Sequence, residues 1–299
     1  MLKKSTIKCI ICGAGESQEV QIGIRYAPHT VVRRCIGCLL VSLWPVPSEE
    51  ELASYYAKDY RAEYHGTIAP ENTYEKGVEE ARERVKRLLS WMTPAMELLE
   101  VGAGAGQFLD AVRSHVRSAI GVEPDEAHRR WACSAKGLDI YPSLTDVRGR
   151  RFDLIALFHT LEHVLDPIGF LRELAGYLAP GGRIVLEVPN VNDALLALYK
   201  LPAFATFYYQ RAHLYYFSPH TLEQAVQAAG GRAVITGIQR YDLSNHLRWM
   251  ITGQPGGQGY YREVLTGVVQ EAYAEALIRA GYADTLWAVA TFEAGDARQ

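Results

Sequence analysis

The sequence predicts an α/β fold: an open, mainly parallel sheet with helices on both faces, preceded by a small metal-binding module. Three observations predict it. From Glu97 onward, apolar runs of strand length alternate with stretches at helical spacing. The first of these runs, Met96–Val101, breaks into Gly102, Gly104 and Gly106 before a helical pattern begins. Well ahead of it stand two C-x-x-C pairs, Cys9-Ile-Ile-Cys12 and Cys35-Ile-Gly-Cys38.

Bulk properties fit that reading. A chain of 299 residues can bury a full α/β core and still carry a small extra module. A net charge of −3 supplies no global field toward nucleic acid or anionic lipid. The start, Met-Leu-Lys-Lys-Ser-Thr-Ile-Lys-Cys, has the charges of a signal peptide without an apolar run behind them. No apolar stretch approaches membrane-spanning length, so the expectation is a soluble cytoplasmic protein with no membrane partner. The fifth cysteine, Cys133, stands alone on an expected helix and reads as a small buried hydrophobe.

Residues 1–46 form the expected metal module, a zinc ribbon. Each C-x-x-C pair places two thiolates on one ion through a tight turn, and Cys9, Cys12, Cys35 and Cys38 complete a closed tetrahedral Zn²⁺ site. The 22 residues between the pairs exceed the usual ribbon spacing slightly, which a longer hairpin absorbs. Four cysteines leave no open coordination position, so the ion is structural. Lys3, Lys4, Lys8, Arg25, Arg33 and Arg34 against Glu16 and Glu19 leave the module mildly basic, which keeps nucleic-acid binding as the rival role.

Residues 47–94 read as a helical lid or linker. Ser48 and Glu51 make a capping box for a short helix. Tyr55, Tyr56, Tyr60 and Tyr64 follow, with Gly66 and Pro70 breaking any regular pattern; they form either a packed linker or an aromatic flap closing over the site. Val78, Ala81, Val85, Leu88, Leu89 and Met92 then make an amphipathic helix feeding the first strand of the sheet.

Residues 95–299 form the main domain. After the glycines, Phe108, Leu109, Val112 and Val116 fall at helical spacing. The glycines give the turn unusual backbone angles and let a ligand approach the main chain, and the helix start behind them offers free N–H groups to a negative group. A second strand, Ala119–Val122, ends in Glu123, seventeen residues past Gly106, where a carboxylate suits two ribose hydroxyls. A helix over 125–136, a weak strand at Asp139–Tyr141 and a clear one at Phe152–Phe158 come next. Ile168, Leu171, Leu174 and Leu178 then mark a helix that Ala179-Pro-Gly-Gly182 stops, and Arg183–Val188 is the fifth strand. An insertion at 190–217 leads to a helix capped by Ser218 with Pro219 at its first position. Arg232–Ile238 and Thr285–Phe292 finish the sheet around a second insertion, 243–283, which holds a glycine-rich turn and a helix near 261–280 and shapes an acceptor pocket or a dimer contact.

The string E-x-G-x-G-x-G followed by a strand ending in Glu resembles the cofactor site of class I S-adenosylmethionine-dependent methyltransferases. The L-x-P-G-G turn and the order of elements over about 75–240 resemble them too. The resemblance implies a Rossmann-like seven-stranded sheet with S-adenosylmethionine over the strand ends. It assigns the cofactor to Glu100, Gly102, Gly104, Gly106, Glu123 and Pro124, with Phe158 and His159 near the methionine arm. Leu161-Glu-His-Val-Leu-Asp-Pro167 is similar to a segment of ubiquinone-type and sugar-type methyltransferases, and His213-Leu-Tyr-Tyr-Phe-Ser-Pro219 to the acceptor-side loop of ribbon-bearing members. The (D/N)-P-P-(Y/F) sequence of many nucleic-acid N-methyltransferases is missing, which argues against methylation of an amino base. The string H-x-x-E-H at His159–His163 leaves a strand rather than lying along a helix, so it is not read as a protease zinc motif. Some quinone-biosynthesis relatives hold a divalent ion here with an acidic cluster; His159 stands where such a cluster carries a Glu, which argues against the ion.

The expected activity is methyl transfer to a small molecule, sugar or glycan, on oxygen or on carbon of a nucleotide-linked sugar. His163 and His213 are the expected bases, with His159 third. The alternatives are an RNA methyltransferase gripping its substrate through the ribbon, which the acidic net charge disfavours, and a non-catalytic binding protein, which the intact glycine turn disfavours.

Overall fold

A computed structural model describes residues 8–58, 60, 63 and 69–293, the side chains at 53 and 56–58 excepted. Lys3, Lys4, Tyr64, Gly66 and the Tyr56 side chain therefore lie outside the described residues.

The N-terminal module is a hairpin of β1 (Ser17–Ile24) and β2 (Ala27–Cys35), extended by β3 (Val41–Trp44). Its fourth strand is β9 (Tyr215–Tyr216), which arrives from the insertion at 190–217. Two helices follow the module, α1 (Glu49–Lys58) and α2 (Pro70–Leu88). Ser48 and Glu51 exchange the capping-box bonds expected of them. The amphipathic helix starts earlier than its apolar pattern suggests, because Pro70 occupies the first helical position.

The main sheet has seven strands in the order β10-β11-β8-β7-β4-β5-β6. These are β4 (Glu97–Val101), β5 (Ser118–Val122), β6 (Asp139–Tyr141), β7 (Phe152–Phe158), β8 (Leu178–Pro189), β10 (Gly231–Ile238) and β11 (Thr285–Phe292). The pairs among β4–β8 are parallel, and β11 inserts antiparallel between β8 and β10. Helices α3 (Gln107–Val112), α4 (Glu126–Lys136), α5 (Pro167–Ala175) and α7 (Pro219–Ala228) pack around it, and the insertions carry α6 (Pro202–Tyr208), α8 (Leu243–Thr252) and α9 (Gly267–Ala280).

The two-residue period of the strands sorts side chains between two cores. Leu98, Leu154, Ala156, Phe158 and Val185 pack toward Ala81, Val85, Phe108, Leu109 and Ala132 of α2, α3 and α4. Leu99, Val101, Ile155, Leu157, Ile184 and Leu186 pack on the opposite face, in one cluster with α5, α7 and the ribbon residues Val32, Cys35, Cys38, Val41 and Leu43. By the same period, Glu100 and Glu187 fall on the α2 side, and both are buried.

Three local expectations change. The helix expected to run through Leu178 ends at Ala175, and Leu178 already pairs with Phe152 at the start of β8. Ala179-Pro-Gly-Gly182 is then an irregularity within the strand, where a side chain at Gly182 would meet the Phe152 carbonyl at 2.8 Å. The helix near 261–280 begins only at Gly267, after hydrogen-bonded turns such as Leu265 N–H to the Tyr261 carbonyl at 2.7 Å. Helix α8 went unread because its cap, Asp242 accepting from Asn245 N–H, sits inside an insertion with no neighbouring strand pattern.

Candidate active site

The turn after β4 is built as its glycines require. Gly102, Gly104 and Gly106 take φ of +80°, +53° and +81°, left-handed values that L side chains rarely adopt. Around Gly104 the nearest atom to an added Cβ is Gln107 Oε1 at 4.0 Å, so the turn leaves open room beside its main chain. Helix α3 behind it is six residues long. Glu123 at the end of β5 turns back onto the loop. Its Oε2 accepts from Gly104 N–H and its Oε1 from Asp125 N–H, both at 2.8 Å. Pro124 follows on the surface. Helix α2 closes the other side: Gln107 Nε2 donates to the Thr73 carbonyl at 2.8 Å, and Tyr74 donates to Asp110.

Glu100 sits one residue before Val101 and is 4% exposed, with Oε2 lacking a hydrogen-bond partner among the described residues. Burial pushes its pKa up to about 8, with the Arg84 charge opposing and Glu123 adding to the rise. An orphaned buried carboxyl beside an open glycine turn is what a polar cofactor would complete, so the residues present fit S-adenosylmethionine. The Phe158 ring is enclosed: Phe108 meets it edge-on at 4.7 Å, Trp287 stacks at 5.8 Å, and the Arg84 guanidinium lies 4.4 Å from its centroid.

His159 leaves β7 with φ of +50°, a strained value for a non-glycine residue, and its N–H donates to the Glu187 carbonyl at 2.8 Å. Its Nδ1 lies 3.3 Å from Glu162 and its Nε2 3.1 Å from Glu187. Burial lowers its pKa, but the bonds to Glu162 and Glu187 outweigh that and leave it raised, although the Arg240 charge opposes them. His159 therefore lies between two carboxylates, with the Arg240 guanidinium also against its Nε2. Glu187 also takes a two-pronged bond from Arg84, at 2.8 and 3.1 Å. Arg84 and Arg240 both reach Glu80 as well, at 3.2 and 2.6 Å. Sequence reasoning missed this network. Arg84 and Glu80 look like an ordinary surface i,i+4 pair, and the one signal was Glu187, a lone acid inside the apolar run Ile184–Val188.

His163 and His213 come together although 50 positions apart in the chain. Their rings meet edge-on at 4.8 Å, and His213 Nε2 is 4.0 Å from Glu162 Oε1. Glu162 is 1% exposed, and its Oε1 faces His159 Nδ1 as well as His213 Nε2. Burial works to raise the Glu162 pKa, but the three neighbouring histidines lower it on balance. Burial, helped by the His163 charge and opposed by Glu162, drives the His213 pKa down to about 3, so its ring is neutral near pH 7. Ligand atoms of Glu162, His163 and His213 lie within 4.8 Å of one another, near enough to share a metal ion.

These histidines open onto a cavity of about 490 Å³ at the carboxyl ends of the strands. Phe204, Phe207, Tyr208 and Trp249 give it an aromatic wall, while Asp193 and Arg240 stand among its polar groups. Burial, with Asp284 adding to it, pushes Asp193 up to about 8. Tyr60 of the linker and Arg25 of the ribbon reach the same cavity.

In the ribbon, Cys9 Sγ lies 3.4 Å from Cys38 Sγ, Cys12 Sγ lies 3.5 Å from Cys35 Sγ, and all four are within 4.8 Å of one another. Four thiolates bound tetrahedrally at ~2.3 Å from zinc stand about 3.8 Å apart, so the cluster fits one ion. Cys133 is half-buried on α4, its Sγ near the Ile140 carbonyl. No helix among the described residues is long and apolar enough to cross a membrane.

A family model described as a methyltransferase domain matches residues 74–234. The ubiquinone biosynthesis O-methyltransferase of Coxiella burnetii (strain Dugway 5J108-111) is 28% identical over 168 residues, spanning 50% of this chain and 70% of that protein. The protein of that name from Caulobacter sp. (strain K31) is 30% identical over 136 residues, 42% of this chain and 54% of that one. A solved structure of a SAM-dependent methyltransferase from Archaeoglobus fulgidus shares the fold, with a TM-score of 0.50 at 19% identity, covering 79% of this chain and 98% of that one. The matched span takes in more than half of the chain, from within α2 through β4–β8 and α7 into β10; the chain belongs to the methyltransferase-domain family and is an S-adenosylmethionine-dependent methyltransferase.

Proposed function

We propose that the protein methylates a small molecule on oxygen, with a sugar or glycan hydroxyl as the favoured acceptor. The observation that carries this reading is the cavity that joins an aromatic wall to the His163–His213 pair over the strand ends. Rings of this kind stack on a flat acceptor or on the C–H face of a sugar, and the carboxyl and amide groups opposite suit hydroxyls. The O-methyltransferase names of the curated relatives point the same way.

The bound cofactor supplies an electrophilic methyl group, already activated by its sulfonium. The chain's part is to hold both partners in line, which is worth ~7–11 kcal/mol when the geometry is near attack. Gly102, Gly104 and Gly106 admit the cofactor to the main chain, Glu123 takes the ribose, and Glu100 and Pro124 complete its surroundings. His213, neutral near pH 7, takes the acceptor's hydroxyl proton on a ring nitrogen, and Glu162 beneath it stabilises the imidazolium that results. His163 is the alternative base. Cys9, Cys12, Cys35 and Cys38 hold one structural zinc ion, and the domain division follows the sequence reading, 1–46, 47–94 and 95–299.

A second reading is favoured by the buried carboxylate oxygens of Glu162, which lie within 4.8 Å of ligand atoms of His163 and His213. With His163 and His213 they fit a divalent ion, which would supply positive charge at the acceptor oxygen; His213, from a distant loop, then takes the place that His159 vacates. Turnover that survives removal of every metal except the ribbon's zinc rejects this reading. The primary test is transfer of labelled methyl from S-adenosylmethionine into a fractionated extract. Label in the small-molecule or glycan fraction supports the proposal, and label in RNA displaces it.

A further inference from the structure

The ribbon and the acceptor cavity share one run of backbone hydrogen bonds. Val41 of β3 pairs with Tyr216 and Ser42 with Tyr215, and Leu43 N–H donates to the Leu214 carbonyl at 3.0 Å. At the far end of β1, Arg25 N–H donates to the Tyr209 carbonyl at 3.0 Å, and Arg25 bridges Gln210. The segment between these anchors carries His213. Leu214 N–H, next to it, donates to the Glu162 carbonyl at 2.8 Å, which sets the loop against the strand-end carboxylate.

Side chains repeat the connection. Cys35, Cys38 and Leu43 of the ribbon lie in the same buried cluster as Tyr215, Tyr216 and Phe217. The Arg25 guanidinium lies 4.5 Å from the centroid of Phe207, part of the cavity's aromatic wall. The glycine turn depends on other elements: β5 through Glu123, and α2 through Thr73 and Tyr74. The two cysteine turns, Cys9–Ala14 and Cys35–Leu40, are each closed by their own backbone bonds; Ile36 N–H to the Glu16 carbonyl at 3.1 Å ties their bases together, and the sulfurs bring their tips together. One shared ion would hold four thiolates this close, and small modules built on such a site lose their fold without the metal.

We propose that the metal held by Cys9, Cys12, Cys35 and Cys38 is a positioning element for the acceptor half of the site: through β3 and β9 it fixes the loop that carries His213, and it leaves the cofactor half unchanged. The inference rests on the reading above, that the cavity beside His213 receives the acceptor. It makes the ribbon a built-in part of the catalytic domain's substrate side rather than a grip for nucleic acid.

Hydrogen exchange on the full chain tests this, zinc-loaded and after the metal is stripped with a chelator, each with S-adenosylhomocysteine titrated as the cofactor probe. Amides in 41–44 and 209–217 should exchange at least about ten-fold faster after stripping, those in 97–112 should keep their protection, and re-added Zn²⁺ should restore the first two. Affinity for S-adenosylhomocysteine should change by less than about two-fold. Unchanged protection of 209–217 in the stripped chain overturns the proposal, as does a chain that takes up no zinc. Loss of protection in 97–112 as well overturns it in another way, by making the metal a requirement of the whole fold. Failure of both forms to bind S-adenosylhomocysteine counts against the functional reading, while the exchange pattern still decides this one. Leu43→Pro gives a second measure, since it removes the N–H donated to Leu214 and spares every cysteine. With one zinc still bound, it should speed exchange in 209–217 as stripping does; wild-type exchange there overturns the proposal.

Discussion

Gly104 and Glu123 hold each other across the opening of the sheet: Gly104 N–H donates to Glu123 Oε2 at 2.8 Å, from the turn after β4 to the end of β5. With Oε1 bound by Asp125 N–H, the carboxylate is oriented before any ribose arrives. A hydrogen bond to a charged group contributes ~1.5–3 kcal/mol. Glu123→Ala should therefore weaken S-adenosylhomocysteine binding by about ten- to a hundred-fold, measured by calorimetry. Unchanged affinity would place the ribose elsewhere.

Gly104 and Gly106 should separate binding from folding. A Cβ at Gly106 would lie 2.4 Å from Leu138 Cδ1, whereas at Gly104 it meets only open room. Gly106→Ala should lower the melting temperature sharply. Gly104→Ala should cost about 1 kcal/mol of stability from its left-handed backbone and more in cofactor affinity. Unchanged S-adenosylhomocysteine affinity in Gly104→Ala would show that the room beside Gly104 is not where the cofactor lies.

The division of labour among the histidines gives a third expectation. His213→Ala should lower turnover of the identified acceptor by about 10²–10⁴-fold with cofactor affinity intact. His159→Ala should disturb stability and cofactor affinity together, since it takes one of its charged partners from the buried Glu187. A His213→Ala enzyme with wild-type turnover would hand the base role to His163.

How much of this was legible depends on whether the signal is local. The glycine turn, the acid after β5 and the succession of strands along the chain could be read because each is written in a few adjacent residues. Met96–Val101 and Phe152–Phe158 become β4 and β7 nearly as read. The partners of Glu187 could not be read, because Arg84, His159 and Arg240 come from three separate elements and meet only through the sheet order. The ribbon's fourth strand was invisible for the same reason: two residues, Tyr215 and Tyr216, carry no period of their own. Leu178 misled because one apolar residue fits a helix face and a strand equally well.

Arg84→Leu should be among the most damaging single changes away from the apolar core. Glu187 stays ionised because its bonds to His159 and Arg84 outweigh the cost of burial. Removing one partner of a buried pair costs ~3–5 kcal/mol, while replacing both by apolar groups is often near neutral. Arg84→Leu with Glu187→Leu should thus recover part of the stability lost in Arg84→Leu alone, as read by urea denaturation. A double variant no more stable than the single one would mean that His159 and Arg240, rather than Arg84, hold Glu187 in place.

Glu100 sets a pH dependence whose sign can be worked out. Its folded pKa, pushed up to about 8 by burial, lies above the ordinary carboxyl value of 4.5. The folded state thus keeps a proton that the unfolded chain releases. The stability this contributes is complete below about pH 4.5 and is lost as pH rises through about 8. The loss is on the order of a few kcal/mol, since each ten-fold gain in proton affinity is worth ~1.4 kcal/mol. Glu100→Gln keeps a neutral polar group at all pH values, so its stability should exceed that of the wild type by a margin that widens from pH 5 to about pH 8. Urea midpoints measured across that range would show it. Parallel curves for the two proteins would mean that Glu100 is ionised in the fold, with Arg84 as its counter-charge.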